Sequence, residues 1–211
     1  MNCPAAPEPP VVSEIDVTSC TVTYQPPGYD GGAPVTGYIL ERRTPGPDSE
    51  WITVNDTPST DLQYSTDNLT PATEYEFRVA AVNRKGLSDF SPMSQKIITE
   101  LKVPEKPGLL EVMDVTGTSV RLQWTAPQSD GGTDITAYVV MVWTSEEWKD
   151  VTVPPDANTK SVINYTIRNQ LQADTEYRFT VAAINKVGRG LPSDKTELMT
   201  TYAGTSGVAG A

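Results

Sequence analysis

The side chains that could carry out chemistry in this chain are few, and their spacing fits no catalytic or metal site. Its 211 residues include no histidine, which removes Ser-His-Asp triads, Cys-His pairs and histidine-ligated metals. Two cysteines, Cys3 and Cys20, are too few for a zinc cluster. No acidic run has the Asp-x-Asp-x-Asp-Gly spacing of a calcium loop, and no glycine-rich phosphate loop leads from a strand into a helix. We therefore predict no enzyme, no metal and no cofactor.

The two cysteines are predicted to stay unpaired. Cys20 aligns with Val120 of an internal repeat described below, and a thiol at a valine position behaves as a small hydrophobe. Cys3 lies near the N-terminus, outside any pattern. A chain that needs no disulfide fits a reducing compartment, although many extracellular domains also lack disulfides.

Charge limits the classes of partner. The chain has 27 acidic and 16 basic residues, for a net charge of -11, and residues 1–100 alone hold 14 acids against 6 bases. Such a surface repels phosphate backbones and anionic lipid, so we expect neither nucleic-acid binding nor membrane contact. No apolar run approaches the length of a bilayer span. The three formal glycosylation sequons, at Asn55, Asn68 and Asn164, are too few to stand out from chance in a chain so rich in serine and threonine.

The elements that would position any functional residue come from a repeat about 100 residues long. An aromatic residue, an Asp-Gly-Gly triplet and a tyrosine follow one another at the same spacings in both halves. The two sets are Tyr24, Asp30-Gly31-Gly32 and Tyr38, then Trp124, Asp130-Gly131-Gly132 and Tyr138. A period of this length is a whole domain rather than a solenoid repeat. Each Asp-Gly-Gly is interpreted as a turn that needs positive φ, not as a ligand site.

Period-two alternation predicts strands throughout both halves. In residues 74–83, apolar side chains alternate with charged ones, and residues 176–185 repeat the pattern. Seven short strands per half, the last near 90–99 and 193–200, predict an all-β chain of two tandem seven-stranded antiparallel sandwiches. The expected organisation is a flexible tail (1–7), a first domain (8–100), a short linker (101–106), a second domain (107–202) and a disordered tail (203–211).

Two further stretches carry a family resemblance. Leu69 to Tyr75, and its copy Leu171 to Tyr177, are typical of a tyrosine corner, in which the phenol turns back to bond the backbone a few residues upstream over a buried leucine. With this element both halves resemble fibronectin type III domains, which have an immunoglobulin-like fold. They depart from the family pattern at Tyr24, where tryptophan is usual, and at Ala173, where proline is usual.

The stretch from Pro26 to Arg43 narrows the resemblance. It is similar to the Pro-Pro-x-x-Asp-Gly-Gly-x-x-Ile-x-x-Tyr segment in fibronectin type III domains of the titin, twitchin and myosin-binding-protein type. Receptor phosphatases and neural adhesion receptors use similar segments. The resemblance implies a non-catalytic spacer and scaffold within a longer sarcomeric or cytoskeletal protein, located in the cytoplasm. The alternative it leaves open is an extracellular fragment of an adhesion or receptor-type protein.

One predicted surface is unusually apolar. Alternation in the second half points Tyr138, Val140 and Val142 inward, so the residues between them face outward beside the neighbouring strand. The predicted protein-binding patch comprises Val139, Met141, Trp143, Ala182 and Ile184. The other interpretation is a bulge, a shifted register, or cover by a loop or neighbouring domain. The first half has Ile39, Glu41 and Arg43 at the equivalent positions, which we expect to be an ordinary solvated set.

The resemblance also limits the expected partners. We expect other proteins, of unknown identity, and neighbouring immunoglobulin-like or fibronectin type III domains of the parent chain. The chain itself is expected to be a monomer.

Overall fold

The chain folds into two β-sheet units with no helix in the part that the structure describes. The computed structural model covers residues 1–154 and 161–203, so the tail expected at 203–211 lies outside the described residues except for Ala203. The first compact unit runs from Met1 to Leu101 and the second begins at Lys102. Within the described ranges, no helix has the length and apolarity needed to cross a bilayer.

The first unit contains eight short strands in two sheets. They are β1 (Val11–Ser13), β2 (Cys20–Thr23), β3 (Gly37–Arg43), β4 (Ile52–Thr53), β5 (Gln63–Thr66), β6 (Glu74–Asn83), β7 (Gly86–Leu87) and β8 (Ile97–Ile98). One sheet has the order β1-β2-β5, and the other has the order β4-β3-β6-β7 with β8 also paired to β6. All of these pairings are antiparallel.

The second unit repeats this arrangement. Its strands are β9 (Gly108–Val115), β10 (Val120–Thr125), β11 (Ala137–Trp143), β12 (Trp148–Val153), β13 (Val162–Ile167), β14 (Glu176–Ile184) and β15 (Met199–Thr200). The described strands form sheets of order β13-β10-β9 and β12-β11-β14-β15. The prediction of an all-β chain made of two tandem sandwiches is therefore confirmed.

Alternation along the strands builds one core per unit. On β14 the inward residues Tyr177, Phe179, Val181 and Ala183 are buried and pack with residues from the opposite sheet. Trp124 from β10 lies edge-on to the Tyr138 ring of β11, with centroids 5.5 Å apart. In the first unit the equivalent rings of Tyr24 and Tyr38 lie 5.1 Å apart, so a tyrosine fills the place where the family usually has tryptophan.

Two aromatics in the second core have a buried polar atom without a hydrogen-bond partner among the described residues, namely Trp124 at Nε1 and Tyr138 at its hydroxyl. The Tyr138 hydroxyl is buried and has no hydrogen-bond partner among the described residues. Burial raises the pKa of this phenol to about 12, because the charged form would lose its hydration. The hydroxyl therefore adds desolvation cost without a compensating bond.

The last strand of each unit differs from the prediction. Instead of a regular strand over 90–99, backbone amides of Ser88, Ser91 and Ser94 bond alternate carbonyls of β6, at every third residue. Each serine Oγ then accepts the N–H of the same β6 residue, at 2.9–3.0 Å. Ser193 and Thr196 repeat this pattern along β14. Only 97–98 and 199–200 are regular strand there, because a period of three replaces the period of two.

The N-terminal segment is packed, whereas the sequence predicts a flexible tail for 1–7. Asn2 N–H donates to Gly31 O at 2.7 Å, and Ala5 N–H donates to Tyr29 O at 2.9 Å. The amide nitrogen Nδ2 of Asn83 holds the same segment through the carbonyl of Asn2, at 2.8 Å, and also binds the carbonyl of Asp30. Neither contact leaves a side-chain pattern in residues 1–7, which is why the sequence does not reveal it.

The predicted linker 101–106 is also packed, and it is held to the second unit by backbone hydrogen bonds like those of the N-terminal segment. Lys102 N–H donates to Gly131 O, and Glu105 N–H donates to Ser129 O. Asn185 Nδ2 donates to Lys102 O at 2.7 Å and to Asp130 O at 2.8 Å. We therefore propose that the second domain begins at Lys102 rather than at 107.

The Asp-Gly-Gly turns are structural. Gly31 has φ +81°, and a Cβ on it would lie 2.1 Å from Asn2 O. Gly131 has φ +83°, and its Cβ would lie 2.0 Å from Lys102 O. Only glycine fits such a close approach at positive φ. Asp30 Oδ1 accepts the N–H of Gly32 at 2.8 Å, so the carboxylate also serves the turn.

Tyrosine corners close both units. The Tyr75 hydroxyl accepts the backbone N–H of Thr70 at 2.8 Å, above buried Leu69. The Tyr177 hydroxyl accepts the N–H of Gln172 at 2.8 Å, above buried Leu171. The corner also forms without proline at Ala173. As Thr99 does in the first unit, the buried Thr201 hydroxyl ties the turn down, donating to Gln172 O and accepting the Thr175 N–H.

Two conservative substitutions in the second unit should have opposite effects on stability. Tyr177→Phe leaves the Gln172 amide without its acceptor and should lower the free energy of unfolding by about 1 kcal/mol or more. Tyr138→Phe removes a hydroxyl that bonds to nothing described and should leave stability unchanged or raise it. Urea unfolding, followed through amide signals of the second unit, measures both. Equal losses from the two variants would contradict these roles.

The turn glycines allow a matched comparison within one loop. Gly31→Ala should destabilise the first unit by at least about 1 kcal/mol, since a left-handed conformation costs an L-residue that much before any clash. Gly28→Ala should be neutral, because no atom lies within 4 Å of the added Cβ. Thermal unfolding of both variants tests this, and a Gly31→Ala protein as stable as Gly28→Ala would refute it.

Candidate protein-binding face

The outer face of the second unit is set by strand register. Trp148, Trp143 and Arg178 pair across β12, β11 and β14, and all three point away from the core. We call these three residues the tryptophan–arginine row. The next outward row along the strands is Asp150, Met141 and Thr180, followed by Thr152, Val139 and Ala182.

The exposed apolar part of this face is narrower than the sequence predicts. Val139 and Ala182 are buried, at 2% and 0% exposure, although they point outward. The Arg189 side chain reaches over this face from the turn after β14, and its Nη2 donates to Asp150 Oδ2 at 2.8 Å. Met141, Trp143 and Ile184 keep partial exposure, as the predicted patch requires. Two of the five patch residues are therefore buried rather than exposed.

Two cations lie against the tryptophans. The Arg178 guanidinium carbon is 5.9 Å from the Trp143 ring centroid, and Lys195 Nζ is 5.5 Å from that of Trp148. Both distances allow a favourable cation–π attraction. Arg178 Nε is buried and, among the described residues, has no hydrogen-bond acceptor. Trp148 is 40% exposed, so part of the row remains open to solvent.

The equivalent face of the first unit is internally neutralised, which corrects the expectation of a solvated set. Arg43 pairs with Glu76 at 2.9 Å, and Arg78 pairs with Glu41 at 2.6 Å. Trp51 lies between the two guanidinium groups, whose carbon atoms are 4.5 and 4.3 Å from its ring centroid. Every arginine on this face therefore has a carboxylate from its own domain.

Trp148, Arg178, Lys195 and Arg189 were not among the residues that the sequence assigns to the patch. Arg178 carries a usable signal, because it alternates with the inward residues Tyr177 and Phe179 and so faces outward. No sequence signal marks Lys195 and Arg189, because their long side chains reach the face from outside β11 and β14.

Nothing in the described ranges forms a metal site, since no three His, Cys, Asp or Glu side chains cluster there. A cavity of about 510 Å³ lies at one end of the second unit, and its lining includes Val142, Leu171, Tyr177 and Glu147. Its apolar lining residues Val142, Leu171 and Tyr177 are themselves almost fully buried, so the cavity offers little apolar surface to a ligand.

The cysteines are both free, as predicted. Cys20 is buried at 2% exposure, and burial raises the pKa of its thiol to about 11, with a smaller opposing effect of Arg42. Cys3 is exposed. Because the thiolate is the nucleophile, only Cys3 has the access that alkylation needs.

Iodoacetamide at pH 8 should therefore modify Cys3 in the folded protein and reach Cys20 only after unfolding. A thiol whose folded pKa is raised supports stability below its unfolded pKa, and this contribution is lost as pH rises toward 11. Peptide mass spectrometry before and after urea reports each site. Rapid labelling of Cys20 in the native protein would show that it is not a core residue.

Comparison with known proteins agrees with this geometry. The family model described as "Fibronectin type III domain" matches residues 5–97 and 105–199. Cardiac-type myosin-binding protein C of Homo sapiens is 33% identical over 202 residues, which is 95% of this chain and 15% of that protein. Titin of Drosophila melanogaster is 34% identical over 189 residues, or 88% of this chain and 1% of that protein. The chain thus spans less than a fifth of the length of these curated relatives.

A solved structure supports the fold alone. A two-domain fibronectin type III segment of chicken tenascin has a TM-score of 0.53, at 18% identity, over 92% of this chain and 99% of that segment. The family match covers most of each unit and coincides with the repeat, the paired sheets and the tyrosine corners. This chain belongs to the fibronectin type III family, as two tandem domains.

Proposed function

We propose that this chain is a non-catalytic pair of modules that serves as a spacer and a protein-binding scaffold within a larger cytoplasmic protein of the sarcomere or cytoskeleton. The relatives are modular proteins of which this pair matches a small part. The fold supplies rigid antiparallel sheets, and its chemistry lies in its outer faces. Partners are other proteins and neighbouring domains of the parent chain, without nucleic acid or membrane contact, and the pair itself acts as a monomer.

One observation carries the binding role. The outer face of the second domain leaves Met141, Trp143 and Trp148 partly exposed on adjacent strands. In the first domain the matching residues are Glu41, Arg43 and Trp51, and both Glu41 and Arg43 are held in ion pairs within the domain. Large side chains such as tryptophan contribute most of the energy at protein interfaces. The second domain has Met141 and Trp143 where the first has the ion-paired Glu41 and Arg43, and a partner that contacts these apolar side chains explains the difference best.

Myosin filaments are the first partner to test, since the relatives are named for binding myosin. The 211-residue chain should co-sediment with filaments of muscle myosin, and the double variant Met141→Ser, Trp143→Ser should lose at least about tenfold in affinity, as expected for interface residues worth more than 1.4 kcal/mol. Met113→Ser is the matched control, because Met113 is exposed on β9 in the opposite sheet.

The double variant should unfold within a few degrees of the wild type, because its side chains point away from the core. Wild-type chain that stays in the supernatant would overturn the choice of myosin. A double variant that still sediments would exclude this face, and one that unfolds would show that the face is part of the core.

Secretion separates this proposal from the adhesion-receptor alternative. Asn68 and Asn164 are exposed, whereas Asn55 is buried and bonds the backbone of Leu40 and Tyr38. In the native host, the parent protein should carry no N-linked glycan at Asn68 or Asn164, as glycopeptide mass spectrometry can show. Glycans at those two sites would place the domains outside the cytoplasm.

A further inference from the structure

The tryptophan–arginine row differs from its counterpart in the first domain by the absence of carboxylates. In the first domain Arg43 and Arg78 stack on Trp51, and each also binds a glutamate at 2.6–2.9 Å. In the second domain Met141 stands at the position of Glu41, and Arg178 stands at that of Glu76. The second domain again places cations on tryptophans, although from different positions, and it lacks both glutamates.

Neighbouring acids do not replace those counter-ions. Asp150 pairs with Arg189 at 2.8 Å, and Glu147 lies 3.5 Å from Lys149. Glu176 lies on the same face of β14 but forms no ion pair with Arg178. Within the described residues, Arg178 and Lys195 therefore carry two positive charges that no carboxylate neutralises.

The buried Nε of Arg178 is a second observation that favours a carboxylate partner. A guanidinium has five donors, and its edge formed by Nε and one Nη matches a carboxylate with two parallel bonds. Here Nε–H has no acceptor in the part of the chain that the structure describes. Leaving such a donor buried and unpaired is costly. A carboxylate that meets that edge when the Arg178 side chain turns outward would remove this cost.

We propose that the tryptophan–arginine row, together with Lys195, binds an acidic segment of a partner protein in which carboxylates alternate with apolar side chains. The partner's carboxylate neutralises Arg178, as Glu76 and Glu41 neutralise Arg43 and Arg78 in the first domain. The apolar side chains pack on the indoles of Trp143 and Trp148. In a chain of net charge -11, this locally cationic and aromatic surface also selects where an acidic partner can approach.

The inference rests on the proposed binding role of this face and specifies the chemistry of the partner. The probe is a blocked hexapeptide of alternating glutamate and leucine, titrated into the 15N-labelled 211-residue chain. Saturable shifts are expected at the Arg178 Nε–H and at the indole N–H signals of Trp143 and Trp148. The same peptide with glutamine in place of glutamate should bind at least about tenfold more weakly, the value of one charge-assisted pair.

Two variants of Arg178 and one control variant test whether peptide binding depends on this arginine. Arg178→Glu, which installs the residue type of the first domain, and the milder Arg178→Gln should each weaken binding by about tenfold or more. Arg168→Gln removes one positive charge from an exposed position after β13 and should change the affinity less than about twofold. Raising the salt from 50 to 500 mM should weaken binding, because the pair is partly exposed to screening.

Equal binding of the glutamine peptide, equal binding by both Arg178 variants, or shifts confined to other surfaces would each overturn the inference. The proposed function can survive that result. If the acidic peptide fails while Met141→Ser, Trp143→Ser still releases the chain from myosin, the face binds protein but not through carboxylates.

Discussion

Both domains depend on burying one side of every strand between two sheets. Phe77 and Phe179 are fully buried at the centre of this layer, and each such side chain contributes about 1.5–3 kcal/mol when it leaves water. Because successive residues of a strand point to opposite faces, the same constraint decides which residues remain available outside. The Tyr75 and Tyr177 corners and the serine-lined final segments hold the sheets in the register that this burial requires.

Because the two domains are repeats, equivalent positions of the first and the second can be compared directly. Inward positions keep their character between domains, as in the pairs Tyr38 and Tyr138 or Phe77 and Phe179. Outward positions change in charge and size, since Glu41 becomes Met141 and Glu76 becomes Arg178. On this face the first domain neutralises Arg43 and Arg78 with its own glutamates. The second keeps cations and tryptophans together without counter-ions, which is the arrangement expected of a surface that meets another molecule.

The sequence predicts what local rules control. The aromatic spacing predicts the repeat, alternation predicts that Tyr138 and Phe179 face the core, and glycine at a forced turn predicts the positive φ of Gly31. Contacts that depend on distant carbonyls are not predictable in this way. The Asn83 amide holds residue 2 through backbone atoms only, so no side-chain pattern in the first residues marks it.

Two other features were not predicted from the sequence, for different reasons. The serines at 88, 91 and 94 do repeat, but with a period of three that a search for alternating strands overlooks. Val139 and Ala182 point outward and are nevertheless buried. Alternation identifies which residues point outward, and it does not say which of them another side chain then buries.

Amide hydrogen exchange tests most directly whether the core is independent of the outer face. We expect the slowest-exchanging amides of the second domain to lie on β11 and β14, and their protection in the single variant Trp143→Ser to stay within about twofold of the wild type. Faster exchange across β14 in that variant would show that the tryptophan supports the fold, and the separation of core from binding surface would then be wrong.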